Sequence, residues 1–170
     1  FSGDRFLVER AVKKQLEDRL PPSVRDFNFD AFEGREATAS AIVTAARGLP
    51  MLAPERIVLI HAADELKKGE LDRLEGELAK IPKTTELILT ASKIDRRLNF
   101  WKRLLEVAKH QEYRPLTLRE VPGWVTQEVR LLNKKISSEA ASYLIQVIGS
   151  ETGLLVAALE EVAGKFDRHE

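Results

Sequence analysis

The stretch RIVLIHA, residues 56–62, decides the fold. Ile57, Val58, Leu59 and Ile60 follow one another without a polar interruption, so a strand here has no face to offer water. A strand exposed on one side would alternate apolar with polar residues, whereas one covered on both sides, as in a parallel sheet, reads as a continuous aliphatic run. The segment ELILTAS, residues 86–92, has the same character. Two strands of this kind call for helices on both faces.

Those helices are visible on either side. From Asp4 to Leu20 the residues Val8, Ala11, Val12, Leu16 and Leu20 recur at helical spacing; Asp4 is placed to cap the helix and Pro21-Pro22 to stop it. The segment DFNFDAF, residues 26–32, alternates Phe27, Phe29 and Ala31 with Asn28 and Asp30, which predicts a strand ended by Gly34. A helix from Ala39 to Arg47 carries Ile42, Val43 and Ala46 and must finish before Pro50. Another, from Gly69 to Lys80, places Leu71, Leu74 and Leu78 on one side, and the next has Leu98, Trp101, Leu105 and Ala108 as its apolar face. QEYRPL, residues 111–116, reads as the last strand. Alternation of this sort over residues 1–116 predicts an α/β domain with a doubly wound parallel sheet.

Beyond residue 116 the strand pattern ends. TLRE, residues 117–120, has the spacing of a capping box, and Pro122 suits the first turn of a helix bearing Trp124, Val125, Val129 and Leu132. Ser137 can cap a helix with Ala140, Ala141, Leu144, Ile145 and Ile148, which Gly149 ends. A third helix carries Leu154, Leu155, Ala158, Leu159 and Val162. Residues 117–170 therefore read as a small three-helix domain, with the boundary near residue 117.

Composition narrows the function. The 170 residues suffice for a packed core without staples, and there is no cysteine, which fits a reducing cytoplasm. His61, His110 and His169 are too scattered for a metal site. Lys plus Arg and Asp plus Glu both number 27, so no global charge draws the chain to nucleic acid or an anionic membrane. No apolar run is long enough to cross a bilayer. The first residue is Phe1 and not methionine, so natural sequence is expected upstream.

The opening FSGDRFLVERAVKKQL, residues 1–16, has the outline of a phosphate-binding loop followed by a helix. It lacks the second glycine, the lysine and the Ser/Thr that surround a phosphate; Gly3 is followed by Asp4, Arg5, Phe6, Leu7 and Val8. A nucleotide hydrolase also needs an acidic magnesium ligand directly after a buried strand. Here His61, Ala62 and Ala63 intervene before Asp64, which displaces its carboxylate by about 10 Å of extended chain. Thr90 and Ser92 stand where a γ-phosphate sensor would sit, though polar residues at strand ends are ordinary. No G-x-S-x-G occurs, and no histidine has an evident nucleophile partner.

Two features remain. Between residues 93 and 109 six basic residues, Lys93, Arg96, Arg97, Lys102, Arg103 and Lys109, face two acidic ones, Asp95 and Glu106. This is either a solvated helix face or a surface for a phosphate backbone or acidic partner. The second is ARGLPMLAPER, residues 46–56, in which Pro50 and Pro54 stiffen a short connection carrying Leu49, Met51 and Leu52. Either the three plug the nearby core, or they stand in water and await a partner, where burial is worth ~1.5–3 kcal/mol each.

These pieces in this order resemble the delta subunit of bacterial DNA polymerase III, the clamp-loader component that grips and opens the sliding clamp. The resemblance rests on SGDRFLVERAV, FEGREATASAIVTAARGLPML, ERIVLIHAA, KIDRRLNFWKRL and ISSEAASYLIQVIGSETGLLVAALEEVA. It implies an AAA+-like domain with a degenerate P-loop, then a helical lid domain, with the family's third domain, a helical collar, outside this sequence. It implies a non-catalytic subunit of the DNA-directed DNA polymerase holoenzyme, needing no cofactor or metal and acting in the cytoplasm. Its implied partners are the sliding clamp (beta subunit), the gamma/tau and delta prime subunits through the collar, and primed DNA in the assembled loader, with no membrane. Carried over, the clamp contact falls on Leu49, Met51 and Leu52, and Lys93, Arg96 and Arg97 become candidates for DNA or partner contact. Family members often have phenylalanine at the position of Leu52, and some have glutamine before the apolar pair, where Arg47 and Gly48 stand here. A DNA-binding regulator using the basic segment and a divergent AAA+ ATPase are the alternatives.

Overall fold

The computed structural model describes residues 1–166. It divides into two compact units, Phe1–Arg114 and a second from Pro115 onward. In the first, β1 (Ser2–Gly3) leads to α1 (Arg5–Arg19), α2 (Pro22–Asn28), β2 (Phe29–Glu33), α3 (Ala39–Ala46), β3 (Arg56–His61), α4 (Lys68–Glu77), β4 (Thr85–Leu89), α5 (Asn99–Val107) and β5 (Glu112–Tyr113). The second unit holds α6 (Val121–Leu131), α7 (Ser138–Ile148) and α8 (Thr152–Phe166).

Every strand pairing is parallel. β3 lies between β2 and β4, with Phe29 opposite Ile57 and Val58 opposite Leu87, while β1 pairs with β5. A parallel bridge between Ser2 and Ala91, just past β4, joins the two sets, so the spatial order runs β2-β3-β4-β1-β5. The aliphatic run of β3 is used on both sides. Val58 and Ile60 enter the layer formed with Ile42, Ala46, Leu71, Leu74, Phe100 and Trp101 of α3, α4 and α5. Ile57 and Leu59 enter the opposite layer, with Val8 and Val12 of α1 and Leu20. The continuous apolar reading of residues 57–60 thus follows from burial on two faces.

The structure departs from the sequence reading at several elements. The strand read at residues 26–32 begins only at Phe29, because Phe27 and Asn28 end α2. The two prolines that stop α1 also start this second helix, with Pro22 in its first turn, where a missing N–H costs nothing. β1 was not legible at all, since two small residues carry no periodicity; it is held by Gly3 N–H to Ala91 O (3.1 Å) and Asp4 N–H to Tyr113 O (2.6 Å). The basic segment is a helix only from Asn99, so Lys93, Arg96 and Arg97 lie on the preceding loop. In α5 the inward residues are Phe100, Trp101 and Leu104; Ala108 follows the helix and is exposed.

In the second unit Val121, Val125 and Val129 of α6, Ala141 of α7, and Leu155 and Leu159 of α8 form one apolar cluster. Glu120 accepts from the N–H (2.8 Å) and hydroxyl (2.7 Å) of Thr117, closing the turn before α6. Ser137 caps α7 by accepting from Ala140 N–H at 3.2 Å. Gly149, at φ 93°, ends that helix in a conformation other residues resist. His169 and residues 167–170 of the second segment lie outside the described residues.

Candidate functional site

The corner between α3 and β3 is built from below. Arg56, the first residue of β3, forms an ion pair with Asp30 of β2 and donates to the carbonyl of Phe27 at 3.0 Å. Gly48 lies against that guanidinium: a methyl on Gly48 would meet Arg56 Cζ at 3.3 Å. Asn28, fully buried at the end of α2, reaches the loop from the other side. Its Nδ2 donates to the carbonyls of Val24 (2.8 Å) and Met51 (2.7 Å), and its Oδ1 accepts from the Met51 N–H at 2.6 Å. Ala53 packs against the layer containing Ile57 and Leu59.

The residues around these fixed points project into water. Leu49 is 76% exposed, Met51 56% and Leu52 88%, so the three do not plug the core. Leu52 also adopts φ 56°, a left-handed conformation that costs a non-glycine residue about 1–2 kcal/mol. A branched apolar side chain is thus held outward, on strained backbone, beside a backbone clasp. Strain kept in place by surrounding contacts is a feature of sites that do work. Phe27, whose carbonyl Arg56 holds, adds a further exposed apolar side chain at 54%. Sequence reading missed Asn28 and Phe27 here because it placed residues 27 and 28 in a strand, and it gave Arg56 no role at the corner. The one available signal was a polar Asn between two phenylalanines.

At the C-terminal edge of the sheet, the position of a nucleotide site in P-loop folds, the connection from β1 to α1 is the single residue Asp4. Asp4 caps α1 by accepting from Leu7 N–H at 3.0 Å. The adjacent cleft, of about 330 Å³, is bordered by Gly3, Arg5, Glu9, Glu33, His61 and Glu65. Its one arginine is spent on Glu9, at 2.7 Å. Asp64 accepts from the N–H groups of Ser92 and Lys93, both at 3.2 Å, and Thr90 Oγ1 accepts from Ala62 N–H at 3.0 Å. Both candidates therefore brace the loops that leave β3 and β4. Among the described residues no group of three His, Cys, Asp or Glu is placed to hold a metal.

The basic segment is partly neutralised. Arg97 donates to Asp95 through its side chain (2.9 and 2.8 Å) and its backbone N–H (3.0 Å), and this holds the Asp95 carboxyl at about 2. Arg103 pairs with Glu75 at 3.1 Å. Lys93 and Arg96 are exposed.

An α/β unit with helices on both faces of an all-parallel sheet and a separate helical unit defines a class; the sequence comparison defines the family. The chain belongs to the DNA polymerase III delta subunit family, whose model matches residues 3–113. In structure it is similar to the Bacillus subtilis DNA clamp loader delta protein YqeN, at 20% identity and a TM-score of 0.72. That match covers 97% of this chain and 52% of the other, so the chain spans about half the length of that relative. A DNA polymerase III gamma subunit-related protein from Thermotoga maritima matches at 15% identity over 70% of this chain and 46% of its own, with a TM-score of 0.37, too low to carry an argument. No curated protein sequence matches.

Proposed function

We propose that this chain binds the sliding clamp of bacterial DNA polymerase III and favours opening of its ring during replication, without hydrolysing ATP. The observation that carries the reading is the exposure of Leu49, Met51 and Leu52 on a corner braced from both sides. Their side chains enter an apolar pocket on the clamp. At ~1.5–3 kcal/mol each on burial, three anchors supply a gross energy near the ~8 kcal/mol of a micromolar complex, before association costs. Ring opening follows only to the extent that the corner binds the open form better than the closed one.

The same reading makes the first unit an AAA+-like domain with a degenerate P-loop and the second a lid domain. A one-residue β1-α1 connection has no loop of N–H groups to surround a phosphate, and the cleft beside it carries Glu9, Glu33 and Glu65 around a paired Arg5. ATP chemistry then belongs to its ATP-binding relatives in the loader ring, and the gamma/tau and delta prime subunits are partners reached through the family's collar. Lys93 and Arg96, more than the paired Arg97, are the contacts available to primed DNA or a partner in the assembled loader. No helix among the described residues is long and apolar enough to cross a membrane, and the reading places the protein in the cytoplasm.

The test is a calorimetric titration with the sliding clamp from the same source, repeated with Leu49, Met51 and Leu52 changed to alanine. Binding by the natural sequence and its loss in a folded triple variant are expected. Retained binding in that variant refutes the site.

A further inference from the structure

We infer that Asn28 is the positioning residue of the clamp-binding corner: its carboxamide holds Met51 so that the neighbouring side chains are presented before any partner arrives. The inference rests on the clamp-binding reading above and adds to it how the anchors are kept in place.

The geometry is unusual for a loop. Met51 has both backbone polar groups bonded to one side chain, its N–H to Asn28 Oδ1 at 2.6 Å and its carbonyl to Asn28 Nδ2 at 2.7 Å. A neighbouring strand would supply such a pair of bonds, but residue 51 lies in no strand. The second hydrogen of Nδ2 goes to Val24 O, one turn back in α2, which fixes the amide plane and leaves one orientation of the group able to serve Met51. Asn28 is wholly buried while Met51 is more than half exposed, so the clasp is shielded from competing water and the apolar side chain is not. Adjacent to it, Leu52 keeps φ 56°, a conformation a free loop would leave. The clasp and the strain lie on successive residues, and the first accounts for the persistence of the second.

A loop held in its binding conformation associates faster, because apparent affinity falls with the fraction of molecules that are competent. Anchors removed from a held loop leave association nearly unchanged and speed dissociation. The two roles therefore separate kinetically.

Association and dissociation rates with the sliding clamp are measured for the natural sequence, Leu52→Ala, Asn28→Ala and Asn28→Asp. Asp keeps the volume of Asn but loses both donated bonds. Asn28 variants are expected to lower the association rate about tenfold with little change in dissociation, and Leu52→Ala to do the reverse. Hydrogen exchange on the natural sequence needs no variant to fold: the Met51 amide is expected to be protected despite its exposed loop, and rapid exchange there overturns the inference. So does an unchanged association rate in a folded Asn28 variant. If that rate is unchanged while the triple alanine variant fails to bind, only the positioning role falls. If the natural sequence itself does not bind the clamp, the underlying reading falls and the positioning role with it.

Discussion

Gly3 and Tyr113 approach so closely that a methyl group on Gly3 would lie 2.0 Å from the Tyr113 carbonyl oxygen. Gly3 also has φ 112°, outside the range of other residues. The position is where β1 pairs with β5, so the glycine belongs to the sheet. Gly3→Ala is expected to destabilise the first unit by at least ~3 kcal/mol, from backbone strain and a clash with backbone that cannot move aside. Thermal unfolding followed by circular dichroism measures it, and a melting temperature equal to that of the natural sequence contradicts it.

Leu52 gives a case where stability and binding move in opposite directions. Its side chain is almost wholly exposed and its backbone left-handed, so replacement loses little packing. Asparagine tolerates that conformation better than leucine. Leu52→Asn is expected to leave stability unchanged or raise it by up to ~1 kcal/mol while weakening clamp binding at least tenfold. Denaturant titration and calorimetry on one preparation give both numbers.

Thr90 separates the braced-loop role from that of a nucleotide sensor. Its hydroxyl oxygen accepts from Ala62 N–H, and Ala62 itself has φ 46°. Thr90→Val leaves that N–H without its acceptor and is expected to cost about 1–2 kcal/mol. No heat is expected on titrating ATP into either protein. ATP binding by the natural sequence that disappears in Thr90→Val reinstates the sensor.

Asp95 makes a pH prediction with a definite sign. Arg97 depresses its pKa from 3.8 to about 2, first through the side-chain bonds and then through the backbone N–H. A depressed carboxyl contributes its stabilisation fully above the unfolded value, near pH 4, and loses it as pH falls through about 2. Both partners are exposed, so the effect is confined to the turn and weakens with salt. Carboxyl carbon shifts of Asp95 are expected to titrate near 2, and nearer 3.8 in Arg97→Ala, where only the backbone bond survives.

The sequence carried the inner strands well because burial on two faces leaves a mark that nothing local disturbs. Ile57 through Ile60 read as a doubly covered strand, and their division between two apolar layers follows from alternation alone. Short elements left no such mark. β1 has two residues, and α2 begins at the same proline that ends α1, so one signal served two purposes. At the corner, composition could show that Leu49, Met51 and Leu52 were out of place but not which way they faced. That depended on Asn28, 23 residues from Met51 in sequence, and on Arg56, whose partners Phe27 and Asp30 lie outside the corner's own stretch; neither is part of a recognisable pattern.

The uniform character of β3 has one more effect. With aliphatic residues at every inner position, sliding by one residue would exchange the contents of the two layers at little cost in hydrophobicity, so apolar patterning does not lock the register. Polar contacts at the strand's ends supply the alignment, and at its start Arg56 makes them, through Asp30 on the neighbouring strand and through its own N–H to Thr84 O at 2.8 Å. The same guanidinium floors Gly48. Alignment of the central sheet and placement of the outward corner therefore share one fastening, and a chain that misaligned the first would also misplace the second.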